Sequence, residues 1–287
     1  MAEIKAQYYV KEEGGIVHCL LCPHNCHIKT NKKGICRVRT NLGGDLYTEN
    51  YGQISSLALD PIEKKPLYRY LPGSNILSVG SYGCNFACSF CQNYSISLNK
   101  PQTAYISPEN LVYKAFDLKK SGNIGLAYTY NEPFMSYEYV LDCCKLIKDK
   151  GMKNVLVTNG YVQKTPLLEI LPYIDAMNID LKSFSQDFYK NNCNGNIEYV
   201  RNTIELAAKA CHVEITCLVI PGLNDSSEEI EAMSLWLSKL SFDIPLHLTR
   251  FFPRYKMSEK EPTSIDVLER LAKTAKQHLK YVYLGNV

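Results

Sequence analysis

The chain has 287 residues, 46% hydrophobic and 21% charged, which is the usage of a folded protein of one or two domains and excludes a disordered, collagenous or coiled-coil chain. Basic and acidic side chains number 32 and 29, a formal charge of +3, so the charge balance gives no argument for a nucleic-acid or membrane-surface partner. The stretch Met1–Val10 carries Glu3 and Lys5 without an apolar core, and no run approaches 18 apolar residues, so neither a secretory signal nor a membrane span is expected. Twelve cysteines in that context point to a reduced, cytoplasmic setting, where clustered thiols bind metals or do redox chemistry more often than they pair.

Residues 1–72 read as a small N-terminal unit. It opens with Cys19, Cys22, Cys26 and Cys36, spaced C-x2-C-x3-C-x9-C. Four thiolates can close a tetrahedral zinc site that contributes folding free energy, or hold an auxiliary iron–sulfur cluster that relays electrons. His18, His24 and His27 are candidates to replace one thiolate. A β-rich run, Leu46–Leu59, follows, and Asp60-Pro61 and Leu71-Pro72-Gly73 read as turns.

From residue 73 the pattern becomes strand, then helix, repeated. A predicted strand at Ile76–Tyr82 leads into a second cysteine group, and Ser107 caps a predicted helix reaching about Lys120, with Pro108 in its first turn. Predicted strands at Gly125–Tyr130, Asn154–Asn159 and Ala176–Leu181 are each followed by a predicted helix, at Phe134–Lys150, Pro166–Leu171 and Ile197–Ala210. Predicted strands at Val213–Ile220 and Leu246–Phe252 precede helices at Ser226–Leu240 and Ser264–Leu279, and Tyr281–Leu284 reads as a last strand. Six such units with apolar strands imply a parallel sheet covered on both faces, either doubly wound or an incomplete barrel. In both architectures the chemistry lies just beyond the C-terminal ends of the strands.

Chemistry-bearing residues fall at those ends. Cys84, Cys88 and Cys91 follow the first strand with the spacing C-x3-C-x2-C. Three thiolates on one short loop can hold three irons of a 4Fe–4S cube and leave the fourth open to a substrate or cofactor. The competing readings are a zinc site or three buried thiols. Glu132, Thr158 with Asn159, and Asp180 with Lys182 end the next three strands. His247, Thr249 and Arg250 lie along the sixth, where His247 is a candidate cofactor contact or a core histidine. Cys193, in a polar Asn-Asn-Cys-Asn-Gly loop, is a candidate catalytic thiol, whereas Cys143, Cys144 and Cys217 read as core.

The Cys84–Cys91 loop resembles the cluster loop of the radical S-adenosylmethionine (SAM) superfamily. Five further motifs make the chain similar to activating enzymes of glycyl-radical enzymes, such as pyruvate formate-lyase, and to the radical SAM member of the AmmeMemoRadiSam system. They are Cys19-Leu-Leu-Cys-Pro-His-Asn-Cys, Tyr51-Gly-Gln-Ile-Ser-Ser, Asp60-Pro-Ile-Glu-Lys-Lys-Pro-Leu-Tyr, Cys91-Gln-Asn-Tyr-Ser-Ile-Ser and Tyr128-Thr-Tyr-Asn-Glu-Pro. The resemblance implies a TIM-like partial (β/α)6 barrel at 73–287, behind the cysteine-rich unit at 1–72. It implies a 4Fe–4S cluster on Cys84, Cys88 and Cys91 that reductively cleaves SAM to a 5′-deoxyadenosyl radical, which then abstracts hydrogen from a substrate. For an activase that substrate is a protein glycine.

The resemblance also assigns roles. Phe90 lies beside the adenine. Asn131 and Glu132 match the end of a Gly-Gly-Glu motif that binds the SAM amino group, with Tyr130-Asn131 in place of the two glycines. Thr158 and Asn159 match the ribose side. Lys182 neutralises the SAM carboxylate and Asp180 pairs with a cation. Arg250 is a candidate substitute for an activase arginine absent at Thr216 or Cys217. The implied partner is reduced ferredoxin or flavodoxin in an anaerobic setting, with a candidate protein substrate. The alternatives are radical modification of a small molecule or RNA, and a non-catalytic iron–sulfur electron carrier.

Overall fold

The computed structural model describes residues 4–287; Met1–Glu3 of the N-terminal stretch lie outside the described residues. Eight strands form the main sheet: β1 (Ser56–Pro61), β2 (Asn75–Gly80), β3 (Asn123–Tyr128), β4 (Lys153–Thr158), β5 (Ala176–Asp180), β6 (His212–Val219), β7 (Leu246–Arg250) and β8 (Val282–Gly285). They lie side by side in chain order. β2 to β8 run parallel, and β1 pairs antiparallel with β2. Helices α1 (Pro108–Asp117), α2 (Tyr137–Asp149), α3 (Lys164–Ile170), α4 (Ile197–Ala207), α5 (Ser227–Leu240) and α6 (Ile265–Ala275) link successive parallel strands. A doubly wound sheet reverses its strand order part-way; this one never does, so all crossovers wind the same way and the wall curls into a barrel. Among the described residues β1 and β8 do not pair with each other, and the barrel stays partial.

Local chemistry explains the elements. Ser107 accepts from the Asn110 amide at 3.3 Å and Pro108 opens α1, which satisfies donors that a helix start leaves free. In α6, Leu268, Leu271, Ala272 and Ala275 are buried, a stripe at helical spacing that seats it on the sheet. No helix among the described residues is long and apolar enough to cross a membrane.

The barrel interior has its own small core of Ile62, Leu67, Ile76, Ala127, Val155 and Ala176. Ile62 and Leu67 come from a segment that passes under the strands and closes their N-terminal end. Asn178 Nδ2 donates to the Pro66 carbonyl at 2.9 Å, and the Tyr68 and Arg69 amides donate to Glu214 at 3.0 and 2.7 Å. Glu214, fully buried, also meets His212 Nε2 at 2.9 Å and His247 Nε2 at 2.7 Å. Burial alone would raise its carboxyl pKa, but the two imidazoles and two amides hold it down at about 2. A lowered carboxyl pKa stabilises the fold above the ordinary glutamate range and loses that stabilisation as pH falls toward 2. A Glu214→Gln chain should therefore lose up to about 3 kcal/mol near neutral pH. Its denaturant midpoint should also fall less steeply than the wild type's between pH 5 and 3.

The expected division at 72/73 needs correction. β1, assigned from sequence to the N-terminal unit, hydrogen-bonds along its whole length with β2. The division therefore falls inside a hairpin of the main sheet. Residues 4–48 form two small three-stranded antiparallel sheets, and their Val17, Leu21, Val38 and Leu46 share one apolar core with Met135, Tyr137 and Leu141 of the barrel wall.

Candidate active site

The three-cysteine loop leaves β2 through Gly83, whose φ is 91° and whose place a Cβ would fill only 2.6 Å from Val38 Cγ1. Glycine satisfies both demands. Beyond it the loop is clamped by backbone bonds: the Ala87 and Ser89 amides each donate at 3.0 Å, to the carbonyls of Cys193 and Asn192. Asn85 is fully buried and donates to the Tyr161 carbonyl at 2.6 Å. Asn159, just past β4, donates to Asn85 Oδ1 at 2.9 Å and approaches Cys84 Sγ at 3.6 Å.

The loop overlooks a cleft of about 380 Å³, within the range of small-ligand sites. Cys84, Cys88, Cys91 and Phe90 line it from the loop, and Asn131, Glu132, Thr158, Asn159, Asp180 and Lys182 line it from the ends of β3, β4 and β5. Convergence at the C-terminal ends of parallel strands is what the fold provides.

Glu132 is 3% exposed. It accepts from Thr158 Oγ1 at 2.7 Å, the Asn159 amide at 2.8 Å and the Phe134 amide at 3.2 Å. Burial pushes its carboxyl up to about 7 against the pull of these donors, with a small push from Asp180. Lys182 pairs with Asp180 at 2.8 Å. Burial would lower its pKa, but Asp180 and the neighbouring thiols hold the ammonium well above its ordinary value. The same ammonium stands 5.9 Å from the Phe90 ring centroid. Burial raises Cys84 and Cys91, and contact with Cys193 raises Cys88 first and burial second. Thiols so placed ionise when a cation takes them as ligands. Three soft donors on one clamped loop at the edge of a cavity fit an iron–sulfur cluster with one iron left open.

Asn131 has a positioning role: its Oδ1 accepts from the Ser81 amide at 2.9 Å and its Nδ2 donates to the Gly83 carbonyl at 3.1 Å. Tyr130 has φ 72°, a left-handed conformation that is an outlier for a bulky residue and costs on the order of 1–3 kcal/mol. Here the conformation is held by the Tyr130 hydroxyl donating to Asp60 Oδ2 at 3.1 Å and by Asn93 Nδ2 donating to the Tyr130 carbonyl at 2.8 Å. Lys65 pairs with the same carboxylate oxygen at 2.9 Å and is 3% exposed.

Sequence reasoning did not single out Lys64, Lys65, Asn93 or Asn286, all of which line the cleft. The signal for the lysines was the Asp60–Tyr68 motif, which carried no indication that its lysines turn inward.

Three candidates lie elsewhere. His247 faces the barrel interior one pleat below Thr249 and is bonded to Glu214, so it does not line the cleft. Arg250 donates through Nε to the Thr263 carbonyl at 2.7 Å and lies over the Phe252 ring, also away from the cleft. Cys193 is completely buried behind Cys88 in a wide turn, Tyr189–Cys193, instead of standing in an open loop. Cys143, Cys144 and Cys217 are buried, in line with a core role.

Cys19, Cys22, Cys26 and Cys36 meet around a separate enclosed void that Arg39 and Met135 also line. The nearby histidines turn away: His24 Nε2 lies 2.7 Å from the Asn85 carbonyl, and His18 and His27 stack at 4.2 Å beside Glu12.

A partial barrel of parallel strands with thiols, a buried carboxylate and a charged lysine at one rim defines the class of protein. Residues 78–234 match the family model of the radical SAM superfamily, and the chain belongs to that superfamily. The family implies a 4Fe–4S cluster and SAM. The chain is 41% identical to the uncharacterised protein MJ0808 of Methanocaldococcus jannaschii, over 99% of this chain and 85% of that one. It is 28% identical to the pyruvate formate-lyase-activating enzyme of Clostridium pasteurianum, over 53% of this chain and 65% of that one. A radical SAM methyltransferase from Sphaerobacter thermophilus shares the fold at a TM-score of 0.57 and 14% identity, covering 75% of this chain and 67% of that one.

Proposed function

We propose that the cleft binds a 4Fe–4S cluster on Cys84, Cys88 and Cys91 together with SAM, and that the chain abstracts a hydrogen atom from a protein glycine in the manner of an activase. The observation that carries this reading is the meeting of three thiols, with no fourth in the cleft lining, opposite Glu132 and the Asp180–Lys182 pair. When bound, the cluster and SAM supply a 5′-deoxyadenosyl radical by one-electron cleavage of the sulfonium.

The chain's own residues bind and orient. Lys182, kept charged by Asp180, takes the carboxylate of SAM. Glu132, its two oxygens fixed by Thr158, Asn159 and Phe134, accepts from the ammonium. Phe90 covers the adenine, and Thr158 and Asn159 stand on the ribose side. Lys65, tied to Asp60, carries positive charge on the wall nearest β1. Reduced ferredoxin or flavodoxin is the proposed electron donor.

A Glu132→Gln chain keeps the volume and loses the charge-assisted bond. Such bonds contribute about 1.5–3 kcal/mol, so SAM should bind the reconstituted variant roughly 10- to 150-fold more weakly in equilibrium dialysis. The activating-enzyme relatives support protein as the substrate class. Incubation with SAM, reductant and a candidate glycyl-radical partner should produce a glycyl EPR signal on that partner. Deuterium entering 5′-deoxyadenosine from a labelled small-molecule or RNA fraction, with no protein radical, would overturn the activase reading.

A further inference from the structure

The four N-terminal cysteines take no part in the cleft, yet they surround one enclosed void. We propose that Cys19, Cys22, Cys26 and Cys36 hold a second iron–sulfur cluster and not zinc.

The spacing of the sulfurs is the first argument. Zn–S bonds of about 2.3 Å place tetrahedral sulfurs roughly 3.8 Å apart. Among the described residues, only Glu12, His18 and His27 bring three ligand atoms within 4.8 Å of one another. No three of these four sulfurs do so, and neither do those of Cys84, Cys88 and Cys91. Both groups therefore stand wider than a single ion requires. A cube with an iron at each sulfur-bearing corner separates its ligands more than one central ion does.

Arg39 shows independently that the void takes an anionic centre, and the sulfur spacing is what decides between a cluster and zinc. It lines the void and is 1% exposed. Its Nη2 bonds Glu138 at 2.5 Å and its Nη1 donates to the Gln7 carbonyl at 2.7 Å, but its Nε has no acceptor. A buried N–H without an acceptor costs about 1–3 kcal/mol. A sulfur-rich anionic centre in the void would supply both the missing acceptor and the opposite charge. The histidines are committed elsewhere, which leaves four thiolates as the ligand set.

The two cysteine groups stand back to back. The Cys36 carbonyl lies 3.1 Å from the position a Gly83 Cβ would take, and His24 bonds the carbonyl of Asn85, next to Cys84. One electron from a reduced ferredoxin- or flavodoxin-type donor could pass through the second cluster to the three-cysteine loop. The donor is oxidised by one electron and no bond is made or broken.

Metal content tests the proposal. Wild type and the triple variant Cys84→Ala/Cys88→Ala/Cys91→Ala are purified anaerobically, reconstituted with iron and sulfide, and assayed for iron, sulfide and zinc. The expected content is about eight irons in wild type and about four in the triple variant, with matching sulfide. The triple variant should also keep an absorption that dithionite bleaches. About four irons in wild type, none in the triple variant and one bound zinc would overturn the proposal and leave the cleft assignment standing. About four irons in both would support it and count against the cleft cluster instead. The three substitutions lie outside the tetracysteine unit, so the comparison does not depend on that unit folding without its metal.

Discussion

Replacing Cys88 by alanine should abolish 5′-deoxyadenosine formation and remove the iron bound at the cleft, while the chain stays folded. Cys88 is one of only three thiols on the loop, and although its thiol touches Cys193 the bonds that clamp the loop are made by its neighbours. The clamp is made by backbone bonds from Ala87 and Ser89 and by the Asn85 amide. Changes in the shell outside a metal's ligands already cost about 10- to 100-fold, so loss of a ligand should exceed about 100-fold. The checks are chromatographic quantification of 5′-deoxyadenosine, iron content and a thermal melt on the same sample. Cleavage that survives near the wild-type rate would exclude Cys88 as a ligand.

Replacing Arg39 by methionine is the substitution expected to damage stability most. Arg39 lies in the strand Arg39–Leu42 of the N-terminal unit, and Glu138 lies in α2, directly after the turn that carries Glu132. The pair is buried on both sides. Removing one partner leaves an uncompensated charge in the interior, which costs about 3–5 kcal/mol. Denaturant unfolding should show that loss. The double variant Arg39→Met/Glu138→Leu, which removes both charges, should recover a large part of it. A double variant whose losses simply add would mean that the two residues act separately.

The strands and helices of the barrel were legible because buried parallel strands are short continuous apolar runs, and the predicted strand limits fall within two residues of the observed ones. The cluster loop was legible because its spacing is local. What the sequence hid was long-range. His247 obeyed the strand rule, but a strand rule gives no depth. Its partner Glu214 lies on the neighbouring strand, and the pair sits inside the barrel below the cleft. Cys193 sits among asparagines that suggest an exposed loop, yet the wide turn folds its thiol inward against the cluster loop. β1 reads as part of the preceding unit because its partner lies across the segment that closes the barrel. Lys65 stands in the sequence only as one residue of the Asp60–Tyr68 motif, and its place in the wall shows once Asp60 is seen to pair with it.

The central claim, that the three-cysteine loop and the cleft together cleave SAM, is tested most directly by one anaerobic incubation. The reconstituted chain is mixed with SAM and dithionite, and the products are quantified. Methionine and 5′-deoxyadenosine are expected in equal amounts, and neither in the Cys88→Ala chain. A sample with a full complement of iron on Cys84, Cys88 and Cys91 that leaves SAM intact would contradict the claim.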